Sequence, residues 1–169
     1  MIDAAHHARE LTSVSMVMYS IMRLLHGYLN DDQQVKTILG QSGLFFVPIV
    51  NFDSYSRISS IYATTNRLEM IRKNQRDSDM CFGVDDIGVD LNRNYGYKWG
   101  FDNNGSSDNP CEEDYRGPAP FSEKETAAMR DFVGSLPLLK IALNFHAWGN
   151  LFVTPFNYSD DANANELNK

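Results

Sequence analysis

A chain of 169 residues is long enough to bury a sizeable core in one domain, and no second domain is expected. Hydrophobic residues at 43% and charged residues at 22% are ordinary for a soluble globular protein, and no apolar run approaches the roughly 20 residues of a membrane span. The net charge of −7, with few and scattered basic residues, argues against a nucleic-acid partner, whose phosphates call for Lys and Arg clustered on one surface.

Near the start stands His6-His7-Ala8-Arg9-Glu10. A His and a Glu three residues apart, at the start of a helical pattern, turn an imidazole and a carboxylate toward one point, which suits Zn²⁺. Spacing alone admits His6 as well as His7, because i to i+4 also shares a helical face. The pair has meaning only if the chain returns with a third donor, and it does so at His146. No basic start or apolar core for a secretory leader precedes the motif. A chain that opens inside such a motif is expected to lack its own beginning.

From Thr12 to Tyr28 the apolar residues Val14, Val17, Met18, Ile21, Leu24, Leu25 and Tyr28 recur every three or four positions. That spacing predicts an amphipathic helix capped by Thr12 or Ser13, with Glu10 fixed at its start. Leu44 to Val50 reads as a short strand buried on both faces, interrupted by Pro48, and Asn51-Phe52-Asp53-Ser54-Tyr55 as a turn leaving its C-terminal end. Arg67, Arg72, Lys73 and Arg76 form a cationic stretch whose bland reading is a solvated face. The segment from Gly88 to Tyr95 is dense in hydrogen-bonding groups. Its Arg93, flanked by Asn92 and Asn94, suits a site that grips a carboxylate from several directions.

Many Gly, Asn, Asp, Ser and Pro residues mark a long loop from Gly96 to Pro120. Cys81 and Cys111 belong to no CxxC pair. A bridge between them would stabilise the fold by roughly 3 kcal/mol on chain-entropy grounds, but spacing leaves bridged and separate thiols equally open. Ser122-Glu123-Lys124-Glu125 is a capping box that opens a helix to about Val133, with Met129, Phe132 and Val133 facing inward. Leu138 to Phe145 is a second strand, delivering His146, and Leu151 to Thr154 a third. The polar tail from Ser159 to Lys169 is expected to fray. Helices alternating with apolar strands imply an α/β fold: a mixed, mostly parallel sheet with helices on both faces and ligands at its carboxyl edge.

These residues resemble the zinc carboxypeptidases of the pancreatic carboxypeptidase A and B type. His7-Ala8-Arg9-Glu10 matches that family's zinc motif, and Gly88 to Tyr95 its Gly-Val-Asp-x-Asn-Arg-Asn-aromatic segment. Leu143-Asn144-Phe145-His146 resembles the strand with the last zinc ligand, and Asn66-Arg67-Leu68 with Arg72-Lys73 a further stretch. The four motifs stand in the family's order.

The resemblance implies one Zn²⁺ held by His7, Glu10 and His146, the His₂Glu set of carboxypeptidase A, with His6 as a neighbour. It implies that Asp90 orients the first zinc His, that Arg93 with Asn92 grips a substrate carboxylate, that Arg9 adds positive potential, and that Arg72 stabilises a developing oxyanion. The substrates would be peptide or protein C-termini, the enzyme a monomer, and Cys81 and Cys111 bridged, in an extracellular or secretory setting. The chain corresponds to about the middle half of a catalytic domain, incomplete at both ends. The family's general base, a Glu preceded by a Tyr on a late strand, belongs beyond Lys169. Glu166 follows His146 too closely, in a polar tail, to be that base. A non-catalytic binder of zinc or peptide carboxylates is the alternative. Two departures are local: Asn51-Phe52-Asp53-Ser54-Tyr55 stands where the family has Asn-Pro-Asp-Gly-aromatic, and Asp85-Asp86-Ile87 is an insertion.

Overall fold

In the structure, a computed structural model, residues 1–77, 81, 87–156 and 158 are described. Asp85 and Asp86 of the expected insertion, and the tail from Ser159 with Glu166, lie outside them. The described strands form one parallel sheet. β1 (Ile2–Ala4) lies between β2 (Phe46–Val47) and β3 (Leu143–Phe145), with Ile2 opposite both Phe46 and Leu143.

Parallel neighbours need long crossovers, and helices supply them. α1 (Leu11–Leu29) and α2 (Gln33–Gln41) join β1 to β2, and α1 packs on β1 and β3. α3 (Phe52–Thr65) and α4 (Lys124–Gly134) fall between β2 and β3. This is the α/β class that the alternation of elements implies. The described pairings are all parallel.

Several local expectations are corrected. Only Phe46–Val47 of the run from Leu44 to Val50 is strand, because Pro48 has no N–H for the ladder. The run still follows β1 beyond it, with Val50 N–H donating to Ala4 O and Asn51 N–H to Ala5 O, each at 3.0 Å. Of the stretch from Leu138, only Leu143–Phe145 pairs. Leu151 to Thr154 is not a strand, and its apolar side chains are exposed.

The predicted turn at Asn51 is the start of α3, with Asn51 as N-cap and Asp53 favourably placed in the first turn. α1 is capped by neither Thr12 nor Ser13: Glu10 is its N-cap, and Ser13 lies within the helix with its hydroxyl on Glu10 O at 2.6 Å. Its buried stripe is narrower than the apolar pattern. Val14 and Val17 are buried, whereas Met18, Leu25 and Tyr28 are exposed.

α4 begins where the capping box stands, but the box is not formed. Glu123 is the N-cap, and Ser122 Oγ accepts from Asn94 Nδ2 at 2.9 Å, where a cap would accept from a helix N–H, and donates to the Glu123 carboxylate at 2.7 Å. Met129 is buried, while Val133 is exposed.

Two small apolar clusters lie beside the strand ends. Ala8, Ile58 and Ile71 form one with Tyr55, and Val50, Leu91 and Met129 form the other with Met1, Val47 and Tyr95. Both therefore clamp segments that carry site residues. Cys81 and Cys111 form a disulfide with Cα atoms 5.4 Å apart. The cationic stretch is not a uniform solvated face: Lys73 is 1% exposed and donates to Pro110 O at 3.0 Å and Glu112 O at 2.9 Å, on either side of Cys111.

Candidate metal centre

His7 and Glu10 do not share a helical face. They lie on the turn between β1 and α1, closed by Glu10 N–H on His7 O at 3.1 Å and tied by Arg9 N–H to Ile71 O at 2.9 Å. Ala4, Ala5 and Ala8 are all fully buried here, so the tight turn depends on small side chains. Ala5 sits at φ 53°, a left-handed conformation that costs an L-residue roughly 1–2 kcal/mol. Its N–H bonds Ser13 Oγ and its C=O accepts from Asn51, which hold it there.

His146 follows β3 as His7 follows β1, so the parallel register carries both imidazoles to the carboxyl edge of the sheet. His7 Nδ1 lies 2.7 Å from Glu10 Oε1, and His146 Nδ1 lies 2.8 Å from Glu10 Oε2. The ligand atoms of the three residues all fall within 4.8 Å of one another. Ala147 N–H donates to Glu10 Oε2 at 3.0 Å and fixes the carboxylate.

Behind His7, Nε2 lies 3.1 Å from Asp90 Oδ1. With that nitrogen donating to Asp90, Nδ1 keeps a lone pair, and it faces a carboxylate that also offers lone pairs. Two such acceptors at hydrogen-bond distance need a shared cation, either a proton or a metal ion. Two imidazoles and one carboxylate are the donor set of a catalytic zinc, and these residues fit it.

The electrostatics agree. Burial pushes the Glu10 carboxyl up, but hydrogen bonds to His146 and His7 outweigh it and hold it far below the carboxylate range. Burial pulls His7 down, and its bonds to Asp90 and Glu10 raise it above the ordinary imidazole value. Asp90 is fully buried, which alone would raise it; the His7 bond, the His7 charge and the Arg72 charge keep it at about 2.

Asp90 owes its place to Gly88, at φ +90°, where a Cβ would lie 2.1 Å from Asn74 O. Only glycine lets the two segments approach so closely. Asp90 also caps the short turn that follows it, accepting from Asn92 N–H at 2.9 Å through the oxygen that faces His7.

The other predicted residues are disposed around this centre. Arg72 Nε and Nη2 donate to Asp90 Oδ2 at 3.0 and 2.7 Å, and its Nη1 lies 3.4 Å from His7 Nδ1. Asn92 Nδ2 lies 3.5 Å from His146 Nε2. Arg93 is turned further out, donating to Gly105 O at 2.5 Å, and lines a cavity of about 360 Å³ with Asn92, Tyr97, Trp99 and Phe101. Arg9 donates to Glu113 Oε1 at 2.5 Å and Met70 O at 3.4 Å.

Asn94 does not share a carboxylate grip with Asn92. It is fully buried and ties the following loop to α4, through Arg116 O, Ala119 O, Ser122 Oγ and Thr126 Oγ1. His6, which spacing alone admits as a ligand, has both ring nitrogens engaged elsewhere: Asn144 Nδ2 lies 2.9 Å from Nδ1 and Tyr95 OH 2.7 Å from Nε2. Glu113 was not legible as a site neighbour, since it depends on a contact distant in sequence, whereas Tyr95 carried a signal as the aromatic end of the motif from Gly88. For Asn51 one signal existed, its place in the motif after β2.

A parallel α/β domain with a His₂Glu cluster at its carboxyl edge belongs, as a class, with proteins built around a zinc site of the catalytic type. The chain belongs to the zinc carboxypeptidase family, Peptidase M14, and the match runs over residues 1–169. It is 34% identical to carboxypeptidase B of Rattus norvegicus over 158 residues, and 31% identical to mast cell carboxypeptidase A of the same organism over 159. Each alignment covers 93% of this chain and 35% of the relative, so the chain spans about a third of the length of these curated relatives. The crystal structure of thrombin-activatable fibrinolysis inhibitor superposes with a TM-score of 0.81 at 27% identity, covering 99% of this chain and 39% of that one. The bovine form of that protein, in complex with tick carboxypeptidase inhibitor, gives a TM-score of 0.73 at 27% identity, covering 99% and 51%.

Proposed function

We propose that the protein is a zinc-dependent metallocarboxypeptidase that hydrolyses the C-terminal peptide bond of peptides or proteins. The observation that carries this reading is the convergence of His7, Glu10 and His146, with Asp90 behind His7, in a chain of the zinc carboxypeptidase family. A zinc ion held by these three side chains supplies Lewis acidity, polarising a carbonyl and acidifying water.

The chain's own residues do the rest. Asp90 fixes the ring and tautomer of His7, and with Arg72 it keeps a guanidinium beside the centre, where negative charge develops on the scissile carbonyl oxygen. Asn92 and Arg93, on the turn after Asp90, are proposed to bind the terminal carboxylate, Arg93 by turning inward from Gly105 O. Arg9 lends positive potential at the rim, as in the reading from resemblance.

By that resemblance the general base is a Glu on a later strand, which we place in the length of the relatives that this chain does not span. The 169 residues alone would then bind zinc and turn over slowly, since base catalysis is typically worth about 10² to 10⁴-fold. The Cys81–Cys111 disulfide supports an extracellular or secretory setting. No helix among the described residues is long and apolar enough to cross a membrane.

The test is hydrolysis of paired peptides with free and amidated C-termini by the full-length protein. Release of the last residue from the free form only, abolished by chelation and restored by zinc, is expected. Zinc binding without any release would favour the non-catalytic binder.

A further inference from the structure

Asn51 is fully buried at the N-cap of α3, where three chain segments meet. Its Nδ2 faces His6 O at 3.2 Å, Lys73 O at 3.1 Å and Arg72 O at 3.4 Å. Its backbone N–H donates to Ala5 O at 3.0 Å. One side chain thus joins the backbone just before the ligand His7 to the backbone of Arg72. Its Oδ1 has no partner among the described residues. An unsatisfied buried oxygen costs about 1–3 kcal/mol, so what the side chain contributes here lies in its NH₂ group.

Chemistry restricts the position. Only a primary amide of this length presents two N–H groups to three carbonyl oxygens. An Asp of the same shape would set a carboxylate against them, and Ser54 shows the lesser alternative. Its Oγ also donates to Lys73 O, at 2.8 Å, but it makes no bond to the His6 backbone.

We infer that Asn51 is a positioning residue for the metal centre: it sets the distance between the turn that carries His7 and Glu10 and the segment that carries Arg72. The inference rests on the zinc reading above. Among the described residues Asn51 makes no hydrogen bond to a ligand side chain; it acts through the backbone on either side of the centre.

The experiment uses the full-length protein, stripped of metal, with Asn51→Ala, Asn51→Asp and Ser54→Ala. It reads zinc affinity by chelator competition, the visible spectrum of the Co²⁺ form, and Tm. Asn51→Ala and Asn51→Asp are expected to weaken zinc binding by about tenfold or more and to shift the Co²⁺ bands, as loss of support behind a metal ligand typically does. Ser54→Ala is expected to lower Tm and leave zinc affinity and spectrum unchanged.

Parent-like zinc affinity and Co²⁺ spectrum in the Asn51 variants would overturn the inference, as would equal zinc loss in Ser54→Ala. If neither Asn51 variant folds, NMR of the unaltered protein decides. Zinc addition should shift the Asn51 side-chain amide protons and slow their exchange, and no response overturns the inference. An unaltered protein that takes up no zinc defeats the zinc reading itself, before any substitution is compared.

Discussion

Asp90 holds His7 from behind, its Oδ1 3.1 Å from His7 Nε2, while its other oxygen takes two hydrogen bonds from Arg72. One buried carboxylate therefore sets both the imidazole that faces Glu10 and the guanidinium beside it. Asp90→Asn keeps the shape and removes the charge. Zinc affinity, measured by competition with a chelator, should fall about 10 to 100-fold. Asp90→Ala should cost about 3–5 kcal/mol in a denaturant melt as well, because it leaves a part-buried Arg72 without its partner.

The pH dependence of stability has a defined sign at His6. Burial, with the nearby His146 and His7 charges, lowers this imidazole to about 3, against an ordinary 6.5. Its neighbours are Tyr95, Asn144, Asp3, His7 and His146. The folded protein keeps it neutral while the unfolded chain takes up a proton below pH 6.5, so the contribution of His6 to stability is full above 6.5 and falls as pH drops toward 3. The slope from this group approaches about 1.4 kcal/mol per pH unit. Asp90, lowered from 3.8 to about 2, adds loss in the same direction over that lower window. Denaturant titrations of the metal-free protein should show the acid slope between pH 6 and 4, reduced in His6→Asn.

Arg9 is paired with an exposed carboxylate, Glu113. If Arg9 attracts the substrate carboxylate, Glu113 competes with it. Glu113→Gln should lower KM for a peptide with a free C-terminus and leave kcat unchanged. Exposed pairs are worth about 1 kcal/mol or less, so the change should be at most about fivefold and should shrink in high salt.

Reduction of the Cys81–Cys111 bridge should cost about 3 kcal/mol, read as a lower denaturant midpoint. The Cys111 turn should keep its native position, because Lys73 still donates to the carbonyls of Pro110 and Glu112. Lys73→Met should free that turn even with the disulfide intact. Proteolysis near Cys111 measures the difference.

The α/β class and the grouping of His7, Glu10 and His146 were readable from strong signals: an apolar stripe in α1, apolar runs at β2 and β3, and short motifs that resemble a known family. Element ends were less readable. Thr12 and Ser13 look like caps, but the chain uses Glu10, whose side chain is drawn to His7 and His146 instead of to the helix N–H groups. The start of α3 at Phe52 was hidden in residues that favour turns as much as helix starts. Lys73 read as part of a solvated face, because only tertiary contact reveals the carbonyls that bury it. Asn94 likewise read as a carboxylate ligand until its partners in α4 were in view.

The metal centre is tested most directly by the zinc content of the dialysed protein and of Glu10→Gln, His146→Ala and His6→Asn, by atomic emission with Tm recorded alongside. A centre built on His7, Glu10 and His146 should give one zinc per chain in the parent and in His6→Asn, and little zinc and no zinc-induced rise in Tm in the other two. Full zinc in Glu10→Gln and His146→Ala, or loss of zinc only in His6→Asn, would contradict it.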